Sequence, residues 1–243
     1  PEPEPEPESP VFVINNFSSD SRLTNNITYV ETVLNDIITG SNQSTSYNIT
    51  VYVTPFDDSS ILGQASWGTR KIWLNESNFS NTTPYTLNDT VININDAVLL
   101  HEILHIFGMV GISTVGSNFM NGASDTPPYV YSGPKGIEKY KSLLVANSKS
   151  DTGIEYIPIE DDFGSGTANS HFEEGLDNDF SNEIRSINGV IYPVLVNEIM
   201  TGFINLHNYL TPMSLGVLED ISFTVNYDSI HVKSTGSNVW WME

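Results

Sequence analysis

The segment His101-Glu102-Ile103-Leu104-His105 puts two imidazoles and a carboxylate within five residues. On a helix, residues four apart stand on one face a turn apart, so both imidazoles can reach a single metal ion. Glu102 lies one position further round, close enough to touch a water on that ion without ligating it. The HExxH pattern therefore points to zinc and an activated water. Glu102 is the expected general base, taking the water's proton and handing it to a leaving amine. The surrounding stretch, AVLLHEILHIFG, is otherwise apolar. Two histidines and a glutamate would be costly to bury there without a metal or a partner.

Two histidines do not complete a zinc site. The chain has no Cys, which removes thiolate ligands, disulfides and cysteine nucleophiles together. Any metal must be held by His and carboxylate, and there are five His. Gly108 extends the pattern to HExxHxxG, where glycine lets the backbone turn sharply and bring a later ligand beneath the metal. The nearest candidate position, 111, is itself Gly, so the third ligand comes from elsewhere. His171, His207 and His231 remain.

His171 closes the small-residue stretch Gly166-Thr-Ala-Asn-Ser-His171-Phe-Glu-Glu. Here the chain resembles the leishmanolysin family of metzincin zinc peptidases. Further matching stretches are Tyr131-Ser-Gly-Pro-Lys-Gly136 with Tyr140, Asn197-Glu-Ile-Met-Thr-Gly202, and Leu218-Glu-Asp220 leading to Val225-Asn-Tyr227. They occur in the family's order over roughly residues 90–228. The resemblance implies His171 as the third zinc ligand, which would leave one coordination position open for water. It implies Met200 as the methionine of the turn beneath the metal, with Met213 as the rival. By analogy with metzincins, substrate would lie as an added strand along the edge formed by Ile61 to Trp67, with Gly63, Gln64, Ala65 and Ser66 at its centre. This chain departs from the family in having Phe172 where Trp usually follows the histidine, about seventeen extra residues near Asp177 to Val194, and no cysteines.

The elements that must position these residues are legible in outline. Val11-Phe-Val-Ile14 suits a short buried strand. Leu23 to Thr39 carries apolar residues at 23, 27, 30, 33, 34, 37 and 38, a helical stripe that stops at Gly40. Asn48 to Val53, Ile61 to Trp67 and Lys71 to Leu74 read as strands. A helix over 95–108, capped by Asn95-Asp96, carries the histidines, and a further helix covers Lys135 to Val145. Leu215 to Tyr227 reads as a helical turn followed by a strand. A strand–helix–strand opening followed by more strands predicts an α+β fold, a mixed sheet with helices packed on it. With the resemblance, that becomes a single metzincin-like catalytic domain over 11–243. Its N-terminal lobe, 11–108, would hold a twisted sheet and two long helices, and its largely irregular C-terminal lobe would span 109–243.

Composition sets the partners. Thirty acidic against nine basic side chains give a net charge of −21, and four of the glutamates lie in the run PEPEPEPESP. Binding to phosphate-rich surfaces needs clustered Lys and Arg, so nucleic acid and anionic membranes are excluded. No 18-residue apolar run is present to span a membrane. Residues 1–10 read as an extended, solvated stalk, which implies a longer protein upstream of residue 1. The clusters Asp57-Asp58, Glu160-Asp161-Asp162 and Asp177-Asn178-Asp179 offer oxygen ligands to Ca2+, though none has EF-hand spacing. Asn-x-Ser/Thr triplets begin at Asn16, Asn26, Asn42, Asn48, Asn75, Asn78, Asn81 and Asn88. The expected protein is a monomeric zinc endopeptidase, secreted or held at a cell or virion surface, acting on peptide or protein. The competing class is a non-catalytic binding or adhesion module on the same scaffold. A zinc hydrolase of another substrate is a third possibility, because HExxH prepares water without choosing the carbonyl.

Overall fold

The computed structural model describes residues 13–16, 20–42, 47–111, 119–120, 128–164, 166–175 and 184–233, with backbone alone at 13–16, 184 and 185. The Pro-Glu run, Val11-Phe12 and the Asp177–Asp179 cluster lie outside them. The elements run β1 (Val13–Asn16), α1 (Leu23–Ile37), β2 (Ile38–Ser41), β3 (Asn48–Thr54), β4 (Gly63–Ser66), β5 (Lys71–Asn75), β6 (Tyr85–Leu87), β7 (Thr90–Ile92) and α2 (Ile94–Phe107). They continue with β8 (Tyr129–Tyr131), α3 (Pro134–Ala146), β9 (Ile157–Ile159), β10 (Ile184–Ile187), β11 (Val190–Pro193), β12 (His207–Asn208), α4 (Pro212–Asp220) and β13 (Phe223–Val225). This is a mixed α+β architecture.

The largest sheet has the order β1-β3-β5-β4. β1, β3 and β5 are parallel, and β4 is antiparallel to β5 at the edge. The stripe on α1 is buried as its spacing requires, with Leu23, Val30, Val33, Leu34 and Ile37 wholly inaccessible. The helix ends at Ile37, two residues short of the sequence expectation. β-branched Ile38 and Thr39 turn extended instead and pair with β13. C-terminal strands thus return to the N-terminal half, β13 against β2 and β12 parallel to β6. The last helix is also longer than the expected single turn, running nine residues from Pro212.

α2 packs against α1, β4 and β5 and is buried all round except at His105. Its cap differs from the expected Asn95-Asp96. Asn93 is the N-cap, accepting from Asp96 N, while the Asp96 carboxylate accepts from Asn93 N. Asn26 on α1 reaches across and donates to Asn93 Oδ1 at 3.0 Å and Asp96 Oδ1 at 2.7 Å. Gly108, in the left-handed conformation, ends the helix.

Three of the Asn-x-Ser/Thr asparagines are structural. Asn26, Asn75 and Asn78 are 4 %, 2 % and 3 % exposed. Their amides donate inward, Asn75 to Ile61 O and Asn78 to Leu62 O. A glycan at any of the three is incompatible with this fold. Among the described residues, no helix is long and apolar enough to cross a membrane.

Replacing Asn26 with Ala should lower stability by about 1–3 kcal/mol, because the buried Asp96 Oδ1 loses its side-chain donor and Asn93 Oδ1 keeps only Asp96 N. The midpoint of urea unfolding reads this directly; an unchanged midpoint would mean the cap is satisfied by solvent.

Candidate metal centre

His101 and His105 come from the same face of α2, and His171 reaches them from the segment after β9. Their Nε2 atoms form a triangle with sides of 3.0 Å (101–105), 3.1 Å (101–171) and 3.2 Å (105–171). The Nδ1 sides face backbone carbonyls: His101 toward Ile199 O at 2.7 Å, His171 toward Thr167 O at 2.8 Å, and His105, more loosely, toward Met109 O at 3.4 Å. A carbonyl only accepts, so each ring carries its proton on Nδ1. The three Nε2 atoms are then bare lone pairs that cannot bond to one another. Burial pushes His101 down to about 4 and His171 to about 3, and burial again holds His105 well below the usual histidine value. All three rings are neutral at physiological pH.

This arrangement fits a metal. Nitrogens 2.0–2.1 Å from one tetrahedral ion stand about 3.3–3.4 Å apart, close to the sides observed. Carbonyl-fixed Nδ1 protons are the usual support for imidazoles that ligate through Nε2. His207 and His231 lie elsewhere, in β12 and in the turn after β13, and join no such cluster among the described residues.

His171 is held by a small ladder. Glu160 N donates to His171 O at 3.0 Å, and Phe172 N donates to Met200 O at 2.9 Å. Phe172 bridges Ile159 on one side and Thr201 on the other. Met200 is wholly buried in the turn that also supplies Ile199 O to His101. Met213, its rival, sits instead in the first turn of α4. The turn is fixed by Glu198, fully buried, whose carboxylate accepts from Met200 N at 2.6 Å, from Thr211 Oγ1 at 3.4 Å and from Ser214 Oγ.

Glu102 faces the same cleft as the histidines, a cavity of about 1030 Å³. Burial pushes its carboxyl up to about 8. β4 runs along the cleft, its outer edge unpaired among the described residues, and Gly63, Gln64 and Ala65 line it; the expectation included Ser66, which pairs with Lys71 but does not line the cavity. Gly63 is needed for close approach, since a Cβ there would stand 2.6 Å from Val98 Cγ1 and 2.8 Å from Glu102 Oε1. Trp67, Trp73, Phe163 and Phe203 add apolar walls, the last two rings meeting edge to face at 5.1 Å.

No protein-family model matches the chain, and no curated protein matches it. The site therefore has to be read from its own geometry.

Sequence reasoning did not reach the three carbonyl acceptors, the Glu198 anchor or the role of Gly63. Carbonyls carry no sequence signature. Glu198 was visible only as part of a matching stretch, and its buried position between a turn and a helix N-terminus has no local pattern.

In metal-free protein, imidazole NMR should show His101 neutral down to about pH 4 and His171 down to about pH 3. Unfolded histidine protonates near 6.5, so between these values the unfolded state binds more protons. Each ring's contribution to stability is thus fully present above 6.5 and is lost as pH falls through the folded value. A folded-state midpoint near 6.5 for either ring would show that it is solvated.

Proposed function

We propose that this chain is a zinc-dependent endopeptidase related to the leishmanolysin-like metzincins. The observation that supports it most is the convergence of three proton-free Nε2 atoms beside Glu102, on the floor of a cleft bounded by an unpaired strand edge. His101, His105 and His171 would hold the zinc. Bound zinc supplies Lewis acidity, polarising a carbonyl and making water a stronger acid.

The chain's own residues do the rest. Glu102 accepts the proton of the attacking water and delivers it to the leaving amide nitrogen. Burial alone would keep that carboxyl protonated near neutral pH, so it works as a base only beside a positive charge, which draws it down. The free edge of β4 offers backbone N–H and C=O groups to an extended peptide, which then lies across Glu102. The aromatic walls exclude water and take apolar side chains. Gly63 keeps the edge strand against Glu102 with no side chain between them. A purely adhesive module would have no use for a carboxyl directed into the cleft at this point.

Wild-type protein should bind one zinc and cleave denatured casein. Glu102→Gln should keep the zinc and lose about 10²–10⁴-fold in kcat. His171→Ala should lose the zinc, whereas His207→Ala and His231→Ala should retain it, as read by metal analysis of the purified proteins. Zinc-loaded wild type that cleaves no peptide would sink the reading.

Gly63→Ala separates positioning from metal binding. It should bind zinc normally yet lose kcat about tenfold or more, since small displacements of a reacting group are costly. Full activity would mean that β4 can move away from Glu102 without consequence.

A further inference from the structure

Immediately beyond His171 the chain buries acid. Glu160, Glu173 and Glu174 are 0 %, 1 % and 1 % exposed. Carboxylate oxygens of Glu160, Asp161 and Glu173 lie within 4.8 Å of one another. Some of the oxygens have donors: Glu160 Oε1 accepts from Asp162 N at 2.5 Å, Glu173 Oε1 from Gly175 N at 3.0 Å and Glu174 Oε2 from Gly202 N at 3.1 Å. Among the described residues, no N–H or hydroxyl donor reaches the buried Glu160 Oε2 and Glu174 Oε1, and the two carboxyl groups meet each other. The charged groups acting on Glu174 are Glu160 and Glu173, and those acting on Glu160 include Asp161 and Asp162. Like charges therefore face each other in a closed space. Buried carboxylate oxygens without donors are costly unless positive charge reaches them.

The donor set specifies that charge. It is all oxygen and mostly carboxylate, which suits a hard cation and not zinc. Magnesium keeps several waters, whereas calcium accepts many protein oxygens in irregular geometry, and these three glutamates are closed to solvent. The acidic pair Asp57-Asp58 contrasts with this. Asp57 and Asp58 are exposed, and Asp58 Oδ1 already accepts from Ser60 N and Oγ.

We propose that Glu160, Asp161 and Glu173, with Glu174 against Glu160, hold one Ca2+ ion that locks the segment carrying His171. The ion lies where three stretches of chain meet. Asn169 N donates to Glu160 O at 2.7 Å, Glu173 N to Pro158 O at 3.1 Å, and the Glu174 carboxylate reaches Gly202, just past the methionine turn. Calcium here holds the third histidine in register with α2 from outside the cleft. The proposal stands apart from the peptidase reading, because its test needs no substrate.

Protein purified without chelators, in calcium-free buffer at physiological ionic strength to screen loose surface binding, is titrated with CaCl2. Calorimetry should show one equivalent bound, and Tm should rise with calcium concentration while MgCl2 at equal concentration does much less. Glu160→Gln and Glu174→Gln should each weaken calcium binding about tenfold or more, because ligand charge sets affinity in such sites. Asp161→Asn, at the accessible rim, tests the same ion if either glutamine variant fails to fold. Asp58→Asn should change nothing. The proposal is overturned if wild type shows no calcium-dependent shift. It is equally overturned if the variants that fold bind calcium as wild type does, in which case Glu160 and Glu174 share a proton instead.

Discussion

Three imidazole nitrogens stand about 3 Å apart with no proton among them, and the rest of the molecule is arranged around that fact. Each ring could relieve the crowding by flipping its proton to Nε2 or by swinging into the cleft. Both routes are closed by a carbonyl on the far side, and the carbonyls come from separate parts of the chain: Met109 just past α2, Thr167 before the third histidine, Ile199 in the methionine turn. The fold must therefore hold α2, the 160–175 segment and the 197–202 turn in fixed relation. It does so largely with buried and half-buried carboxylates.

Glu198 ties the methionine turn to the start of α4. Asp220, at the other end of α4, accepts from Lys135 N and Gly136 N at the start of α3 and from Tyr131 OH. An acid at a helix N-terminus satisfies donors that the helix cannot, and the helix dipole favours its charge. Tyr227 OH then donates to Glu219, and Asn226 bonds to Asp36 O on α1. Stretches at widely spaced sequence positions thus meet as one polar framework beneath the site.

What the sequence disclosed follows from how local each cause is. The HExxH helix, the α1 stripe and the strand at β4 all rest on neighbouring residues, and the structure contains them, the strand shortened from 61–67 to Gly63–Ser66. Its place at the sheet edge came only from the metzincin analogy. The cap of α2 was misplaced by two residues because Asn93 and Asn95 are chemically alike; only the reach to Asp96 and the donation from Asn26, 67 residues away, decides between them. Two hairpins were passed over although their turns are visible. Asn88-Asp89 and Asn188-Gly189 adopt positive φ, the requirement of a two-residue turn, the first between Leu87 and Thr90 and the second between Ile187 and Val190. The acidic cluster was half legible. Residues 160–162 stand together in sequence, but Glu173 and Glu174 join them only because β9 pairs with the histidine segment.

The hydrogen bond from His101 to Ile199 spans 98 residues, and β13 closes onto β2 across an even longer interval. During synthesis, a chain that has emerged past Glu102 but not past Ile199 carries both helix histidines without the acceptor that orients the first of them. The third imidazole arrives 66 residues after the second. Such non-local closures come late in folding. The centre is consequently a product of the finished chain, and a nascent fragment holding the complete HExxH helix holds no assembled site.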